Sequence, residues 1–251
     1  MKIVVIGGTG LIGSQLVNQL KNSGHEIIAA SPNNGVNTLT GEGLNEVLQG
    51  AHTVIDVSNS PSFDDAPVMH FFKTSNENLL PAEKSAGVQH HIALSVVGTQ
   101  KLQASGYFRA KQVQEDMIMA SGIPYTIVHA TQFFEFAGGI LQMSMANGKV
   151  IVPDANIQPI ASKDVAFFLA ETALAEPVNR ILEIGGPEKF NMAEWIKQYA
   201  RATHKDLAIT ADAGALYSGA PITADTLAPE NPVFLGETHY ADWIVKPENQ
   251  R

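Results

Sequence analysis

Apolar positions along the chain follow two rhythms. Short runs rich in β-branched residues at Ile3–Ile6, Glu26–Ala30, Thr53–Val57, His91–Val96, Tyr125–Val128 and Arg180–Ile184 predict strands. Between them, apolar residues return at intervals of three and four over Ser14–Ser23, Leu44–Leu48, Phe71–Ser85, Lys111–Ala120 and Asp164–Ala175, the spacing of amphipathic helices. Glycines at 24, 50, 87 and 122 close several of these stretches, as glycine does just past a helix end. Strand and helix in alternation predict an α/β fold with a doubly wound parallel sheet. No internal repeat is present.

The rhythm changes after Ala130. An aromatic group (Phe133, Phe134, Phe136), a helix-like stretch Ile140–Ala146 and an extended stretch Val150–Ile160 follow. The helix Asp164–Ala175 returns to the sheet, and another is expected over Met192–Arg201. The segment Ala211–Pro232 is rich in Ala, Gly, Pro and Thr and reads as a long irregular loop, either a substrate lid or a plain surface excursion. The expected organisation is one dinucleotide-binding domain, 1–251, with a small C-terminal substrate lobe built from 131–162 and 186–251.

The first strand runs directly into Gly7-Gly8-Thr9-Gly10-Leu11-Ile12-Gly13 and then into a helix. A strand, a glycine turn and a helix start present backbone N–H groups and the positive end of a helix to a diphosphate, so a Rossmann-like dinucleotide site is expected here. The spacing is G-x-x-G-x-x-G. In this reading Gly7 turns the strand, Gly10 lets the backbone touch the diphosphate and Gly13 lets the helix close on the sheet, with Thr9, Leu11 and Ile12 beside them.

Composition narrows the function. The 251 residues carry a formal charge of −9, and no Lys/Arg cluster exists to neutralise phosphates, so nucleic acid is not an expected partner. There is no cysteine, which removes disulfides, thiolate nucleophiles and Cys-held metals and leaves redox chemistry to a bound cofactor. His90 and His91 are adjacent on a strand and so face opposite ways, and no metal site is expected. The first apolar run is far shorter than a signal-peptide core and no later stretch approaches a membrane span, so a cytoplasmic protein without membrane association is expected, as monomer or homodimer.

Tyr107-Phe108-Arg109-Ala110-Lys111 contains Y-x-x-x-K at the start of a helix, which sets both side chains on one face, and Ser95 lies 12 residues before Tyr107 at the end of a strand. With the N-terminal glycine turn, this resembles the short-chain dehydrogenase/reductase superfamily. The likeness is greatest to its atypical, NmrA-like branch, through Asn59-Ser60-Pro61, the Lys111–Glu115 helix, Gly122–Val128 and Gln158-Pro159-Ile160 leading to Asp164-Val165. The resemblance implies that Tyr107 protonates a carbonyl oxygen as hydride arrives, that Lys111 lowers the phenol's pKa and bonds the nicotinamide ribose, and that Ser95 holds the carbonyl oxygen. His129 departs from it, standing where relatives commonly have Arg. No Asp follows the second strand or appears in Val36–Thr40, where relatives often place an adenine contact.

The second strand ends in Ala29-Ala30-Ser31-Pro32-Asn33-Asn34, without the carboxylate that bonds the ribose in NAD sites. Ser31, Asn33 and Asn34 offer hydrogen bonds to a 2′-phosphate, so NADP(H) is favoured and NAD(H) remains open. Ser58 and Asn59 complete the expected cofactor site, and Ser60, His129, Gln132, Phe133 and Phe136 the expected substrate pocket. Two functions are consistent with these residues: an NADP(H)-dependent reductase of a small, largely apolar carbonyl or quinone, and a non-catalytic dinucleotide sensor acting through a protein partner. Direct hydride transfer to a quinone would use the cofactor and Lys111 without Tyr107.

Overall fold

The computed structural model describes residues 1–250. The chain forms two compact units, the first made of Met1–Ser95, Gly106–His129 and Val165–Leu182, the second of Val96–Ser105, Ala130–Asp164 and everything from Glu183 on. The expected lobe segments 131–162 and 186–250 fall in the second unit, together with Val96–Ser105, which nothing in the sequence pattern marks.

The first unit is built on β1 (Lys2–Ile6), α1 (Leu11–Leu20), β2 (Glu26–Ala30), α2 (Leu44–Leu48), β3 (Thr53–Asp56), α3 (Asp65–Ala86), β4 (His90–Val96), α4 (Gly106–Ala120) and β5 (Tyr125–Ala130). The second contains α5 (Ala137–Met143), β6 (Met145–Ala146), β7 (Lys149–Pro153) and β8 (Asn156–Ile157). After α6 (Ser162–Leu174) and β9 (Arg180–Gly185) it adds β10 (Phe190–Asn191), α7 (Met192–Ala202), β11 (Ala208–Asp212), β12 (Phe234–Leu235) and α8 (Tyr240–Ile244). The main sheet has seven strands in the order β12-β9-β5-β4-β3-β1-β2, the Rossmann-like arrangement. Its pairings are parallel: Ile6 of β1 lies opposite both Ala30 of β2 and Asp56 of β3, and Asp56 lies opposite Ala93 of β4.

Because parallel strands are buried on both faces, they read as unbroken apolar runs, and Ile3 to Ile6 are all 2% exposed or less. Val4 and Ile6 pack with Val54, Leu79 of α3 and Ile118 and Ile127 in one cluster. Each such side chain contributes about 1.5–3 kcal/mol by leaving water. Within the second unit, Tyr240 and Trp243 of α8 lie 5.0 and 5.5 Å from the Phe134 ring, and Trp195 of α7 lies 5.7 Å from Tyr240.

Some elements depart from the sequence expectation. α3 begins at Asp65, six residues before the apolar period does, because Asp64 is an extended N-cap and Asp65 and Pro67 suit a first turn, where acid favours the helix dipole and proline costs no hydrogen bond. The extended stretch Val150–Ile160 divides into β7 and β8. The first two residues of the loop expected over Ala211–Pro232 belong instead to β11, paired in parallel with β7. β12 and α8 are two and five residues long, too short for any period to register.

No helix among the described residues is long and apolar enough to cross a membrane. His90 and His91 do face opposite ways: the His90 ring is 2.8 Å from Thr126 Oγ1 of β5, and the His91 ring is 2.8 Å from the Glu83 carboxylate of α3. Burial, aided by the neighbouring His91, lowers the His90 pKa to about 4. A group neutral in the folded chain but protonated in the unfolded one contributes stability above its unfolded pKa, which is lost as pH falls toward the folded value. Stability should therefore drop as pH falls from about 6.5 toward about 4. Urea unfolding at pH 7 and pH 5 should show a smaller drop in His90→Gln than in the parent, by up to about 2 kcal/mol. Equal drops would contradict this assignment.

Candidate cofactor and active site

Strand register assembles the site. With Ile6, Ala30, Asp56 and Ala93 level, the glycine turn, Ser31, Ser58 and Ser95 all leave the same edge of the sheet in the first unit. The N–H groups of Gly7 and Gly8 donate to the Ala30 carbonyl at 2.9 and 3.1 Å, and Gly10 N–H donates to Gly7 O at 2.9 Å. Gly7 has φ +77°, a left-handed value that favours glycine.

A side chain on Gly8 would come within 2.7 Å of the Ala29 backbone, and one on Gly13 would strike the Gly7 carbonyl. Gly10, the expected diphosphate contact, is different. It is exposed, extended at φ −78°, and a Cβ there would meet only Gly7 O at 3.3 Å. The glycines that fold the turn are thus Gly7, Gly8 and Gly13, of which Gly8 lies outside the G-x-x-G-x-x-G spacing.

Helix α1 starts at Leu11, directly after the turn, with no acidic residue in its first turn. An α-helix leaves its first N–H groups without internal acceptors, here those of Leu11, Ile12 and Gly13, so the turn offers donors and positive potential together. Thr9 and Leu11 are exposed beside it, and Ile12 is buried.

At the end of β2, Ser31 is buried and its hydroxyl has no hydrogen-bond partner; the Ser58 hydroxyl after β3 is likewise buried and unpartnered. Buried hydroxyls without partners are uncommon, and these two lie at the strand-end edge beside the glycine turn. Asn33 is exposed, and Asn34 donates to Ala29 O at 2.9 Å, bracing its own turn. Asn59 is exposed and accepts from Ser60 N–H at 3.0 Å, while Ser60 is buried.

Lys111 of α4 is 2% exposed. Its Nζ donates to Leu94 O at 2.9 Å and to Gln114 Oε1, and lies 4.5 Å from the Phe72 ring centre. Gln114 in turn donates to Asp56 Oδ2 at 2.9 Å, and the other Asp56 oxygen accepts from Ser58 N–H at 2.9 Å. Burial lowers the Lys111 pKa to about 8, against the opposing pull of Asp56 and Glu115. Tyr107, one turn earlier, is half-buried with its ring 5.5 Å from Phe63 and 6.0 Å from Phe72.

Ser95 is the penultimate residue of β4, and its hydroxyl donates to Glu115 Oε1. The same oxygen is 2.9 Å from His129 Nε2, and both partners of that pair are 2% exposed. The first unit therefore contains Ser95, Tyr107, Lys111 and His129 in one neighbourhood of α4. Hydrogen bonds join Lys111 through Gln114 to Asp56, and Ser95 through Glu115 to His129; no motif or period in the sequence marks Asp56, Gln114 or Glu115. The signal available was position: Gln114 and Glu115 stand three and four residues beyond Lys111, on its own helix face. In the second unit Gln132 is buried, and Phe133 and the exposed Phe136 stack at 5.1 Å.

The glycine turn, helix start and unpartnered hydroxyls suit a dinucleotide, and the comparisons agree. The chain belongs to the NAD(P)H-binding family, whose model matches residues 7–177, and NAD(P)H is its cofactor. It is 25% identical over 228 residues to the photosystem II assembly factor Ycf39 of Cyanophora paradoxa, covering 84% of this chain and 71% of that protein. It is 30% identical over 224 residues to the chloroplastic divinyl chlorophyllide a 8-vinyl-reductase of Cucumis sativus, covering 74% of this chain but only about half, 53%, of that one. Its fold matches the dTDP-4-dehydrorhamnose reductase of Bacillus anthracis in complex with NADP, with a TM-score of 0.71 at 13% identity over 97% of this chain and 96% of that one. The short-chain dehydrogenase/reductase resemblance stands with these findings, and the NmrA-like branch is consistent with them.

The two kinds of glycine should separate experimentally. Gly13→Ala, which drives a methyl into a carbonyl, should cost about 1–3 kcal/mol of stability, whereas Gly10→Ala should cost under about 1 kcal/mol. Thermal unfolding of both variants checks this, and an equal loss in the two would contradict the division of roles.

Proposed function

We propose that the chain is an NADPH-dependent reductase that passes hydride to a small, largely apolar carbonyl or quinone, working in the cytoplasm as a monomer or homodimer. The observation that carries this reading is Lys111, a buried ammonium at the strand-end edge with its pKa drawn down to about 8. Burying a cation is costly, and a lysine poised near neutrality inside a cofactor-binding fold is suited to proton chemistry.

In this reading Gly7, Thr9, Gly10, Leu11, Ile12 and Gly13 hold the diphosphate, and Ser31, Asn33 and Asn34 receive the 2′-phosphate. Ser58 and Asn59 line the cofactor further along. NADPH when bound supplies the hydride. Tyr107 gives a proton to the acceptor oxygen, Lys111 bonds the ribose and favours the phenolate that remains, and Ser95 turns its O–H from Glu115 to the same oxygen. Ser60 and His129 face the acceptor.

A second reading, a non-catalytic NAD(P)-binding regulator, is favoured by one observation: the Ser95 hydroxyl is already committed to Glu115. That one relative is named an assembly factor accords with it. A screen of NADPH oxidation against aldehydes, ketones and quinones separates the two. With the best carbonyl, Tyr107→Phe should lower kcat by about 10²–10⁴ with cofactor affinity nearly unchanged. Parent-like rates would point to direct transfer to a quinone, and no turnover with any acceptor would point to the regulator.

The charge on Lys111 gives a pH test. Turnover should decline as pH rises through about 8, where the ammonium loses its proton. Lys111→Arg stays charged and should shift that decline upward, and an unmoved limb would remove Lys111 from the role.

The preference between cofactors follows from the end of β2. NADPH should bind more tightly than NADH, and Ser31→Asp should reverse the order by repelling the 2′-phosphate. Calorimetric titration of both cofactors checks this, and tighter NADH binding by the parent would overturn the assignment.

A further inference from the structure

The second unit contains a polar pair, Gln132 and Tyr217. Gln132, two residues beyond the end of β5, is 6% exposed. Its main chain is fixed: Ile160 N–H donates to Gln132 O at 2.9 Å, and the preceding Thr131 is held by the Ile184 carbonyl at 3.2 Å and the Gln158 carbonyl at 2.6 Å. Its side chain makes a hydrogen bond to Tyr217. The carboxamide oxygen Oε1 is buried and has no partner, so that bond is donated by the Nε2 group to the phenol oxygen.

Tyr217 comes from the long segment after β11 and is set there by a tight turn. Its N–H donates to Ala220 O at 2.8 Å and its carbonyl accepts from Ala220 N–H at 2.9 Å. The central residues Ser218 and Gly219 have φ +48° and +81°, the left-handed pair of a type I′ turn. The turn thus sets the phenol beside the carboxamide of Gln132. Gln132 Oε1 is thus a buried, unpartnered acceptor on a chain position just past a strand's carboxyl end, where α/β folds bind ligands.

We propose that Gln132 Oε1 accepts a hydrogen bond from a hydroxyl or N–H donor on the substrate, and that Tyr217 is the positioning residue that aims it. This rests on the reductase reading only in calling the bound molecule a substrate. It narrows the acceptor class to compounds that carry a donor beside an otherwise apolar skeleton. A parent compound lacking the donor leaves the buried oxygen unpaired and binds less well.

The test uses the full chain saturated with NADP⁺, which binds without turning the probe over, and calorimetric titration with 3- and 4-hydroxybenzaldehyde against benzaldehyde. The expected result is binding of at least one hydroxylated probe about 10- to 100-fold tighter than the parent aldehyde. Gln132→Leu should erase that ratio, Gln132→Glu should keep it because a carboxylate still accepts, and Tyr217→Phe should reduce it severalfold with the fold intact by circular dichroism. Equal binding of all three aldehydes, binding of none, or a ratio unchanged in Gln132→Leu and Tyr217→Phe overturns the proposal. NADPH oxidation with the same aldehydes is read separately. Its absence tells against hydride transfer and leaves the binding ratio standing.

Discussion

Parallel register is the constraint on which the rest depends. Because Ile6, Ala30, Asp56 and Ala93 lie level, four successive strands release their chains at one edge. Only there do a glycine turn, a helix start and two unpartnered hydroxyls meet. The turn itself is possible because Gly8 and Gly13 allow backbone contacts that any Cβ would obstruct. A one-residue slip of β2 would exchange the sheet faces of its side chains and carry Ser31 away from the edge.

A second dependence runs through α4. Lys111, Gln114 and Glu115 are buried together, and a helix that buries an ammonium and a carboxylate gives up stability unless each is hydrogen-bonded. Here each is: Lys111 to Leu94 O and Gln114, Glu115 to Ser95 and His129, with Gln114 passing the chain of bonds to Asp56. Truncating Gln114 takes a partner from both Lys111 and Asp56, and truncating Glu115 takes one from both Ser95 and His129.

Much of the architecture was legible in the sequence because its signals are local. Six strands and most helices announce themselves by period, and the glycine turn by its position between strand and helix. What escaped is non-local or too short. The start of α3 is polar, so it shows no apolar period. β12 and α8 hold their places by pairing with β9 and by the aromatic packing around Phe134, neither of which leaves a trace in a window of ten residues. In the candidate site, motif and spacing place the glycines between strand and helix, Ser31 just past a strand and Lys111 on a helix, and the structure has those elements there. That Ser95 donates to Glu115, that Asp56 reaches Lys111 through Gln114, and that Tyr217 braces Gln132 depend on contacts between residues 20 to 85 positions apart, which no spacing rule encodes.

The central claim is that the first unit's strand-end edge holds NADPH for hydride transfer rather than for sensing. The most direct measurement is the fate of deuterium at C4 of the cofactor, with the 4R- and 4S-labelled forms incubated with the chain and its best acceptor and the recovered NADP⁺ weighed by mass spectrometry. The account predicts that one labelled form loses its deuterium and the other keeps it, since a cofactor fixed in one pose presents a single face. Bound cofactor that keeps its label in both forms, with every acceptor tried, would contradict it.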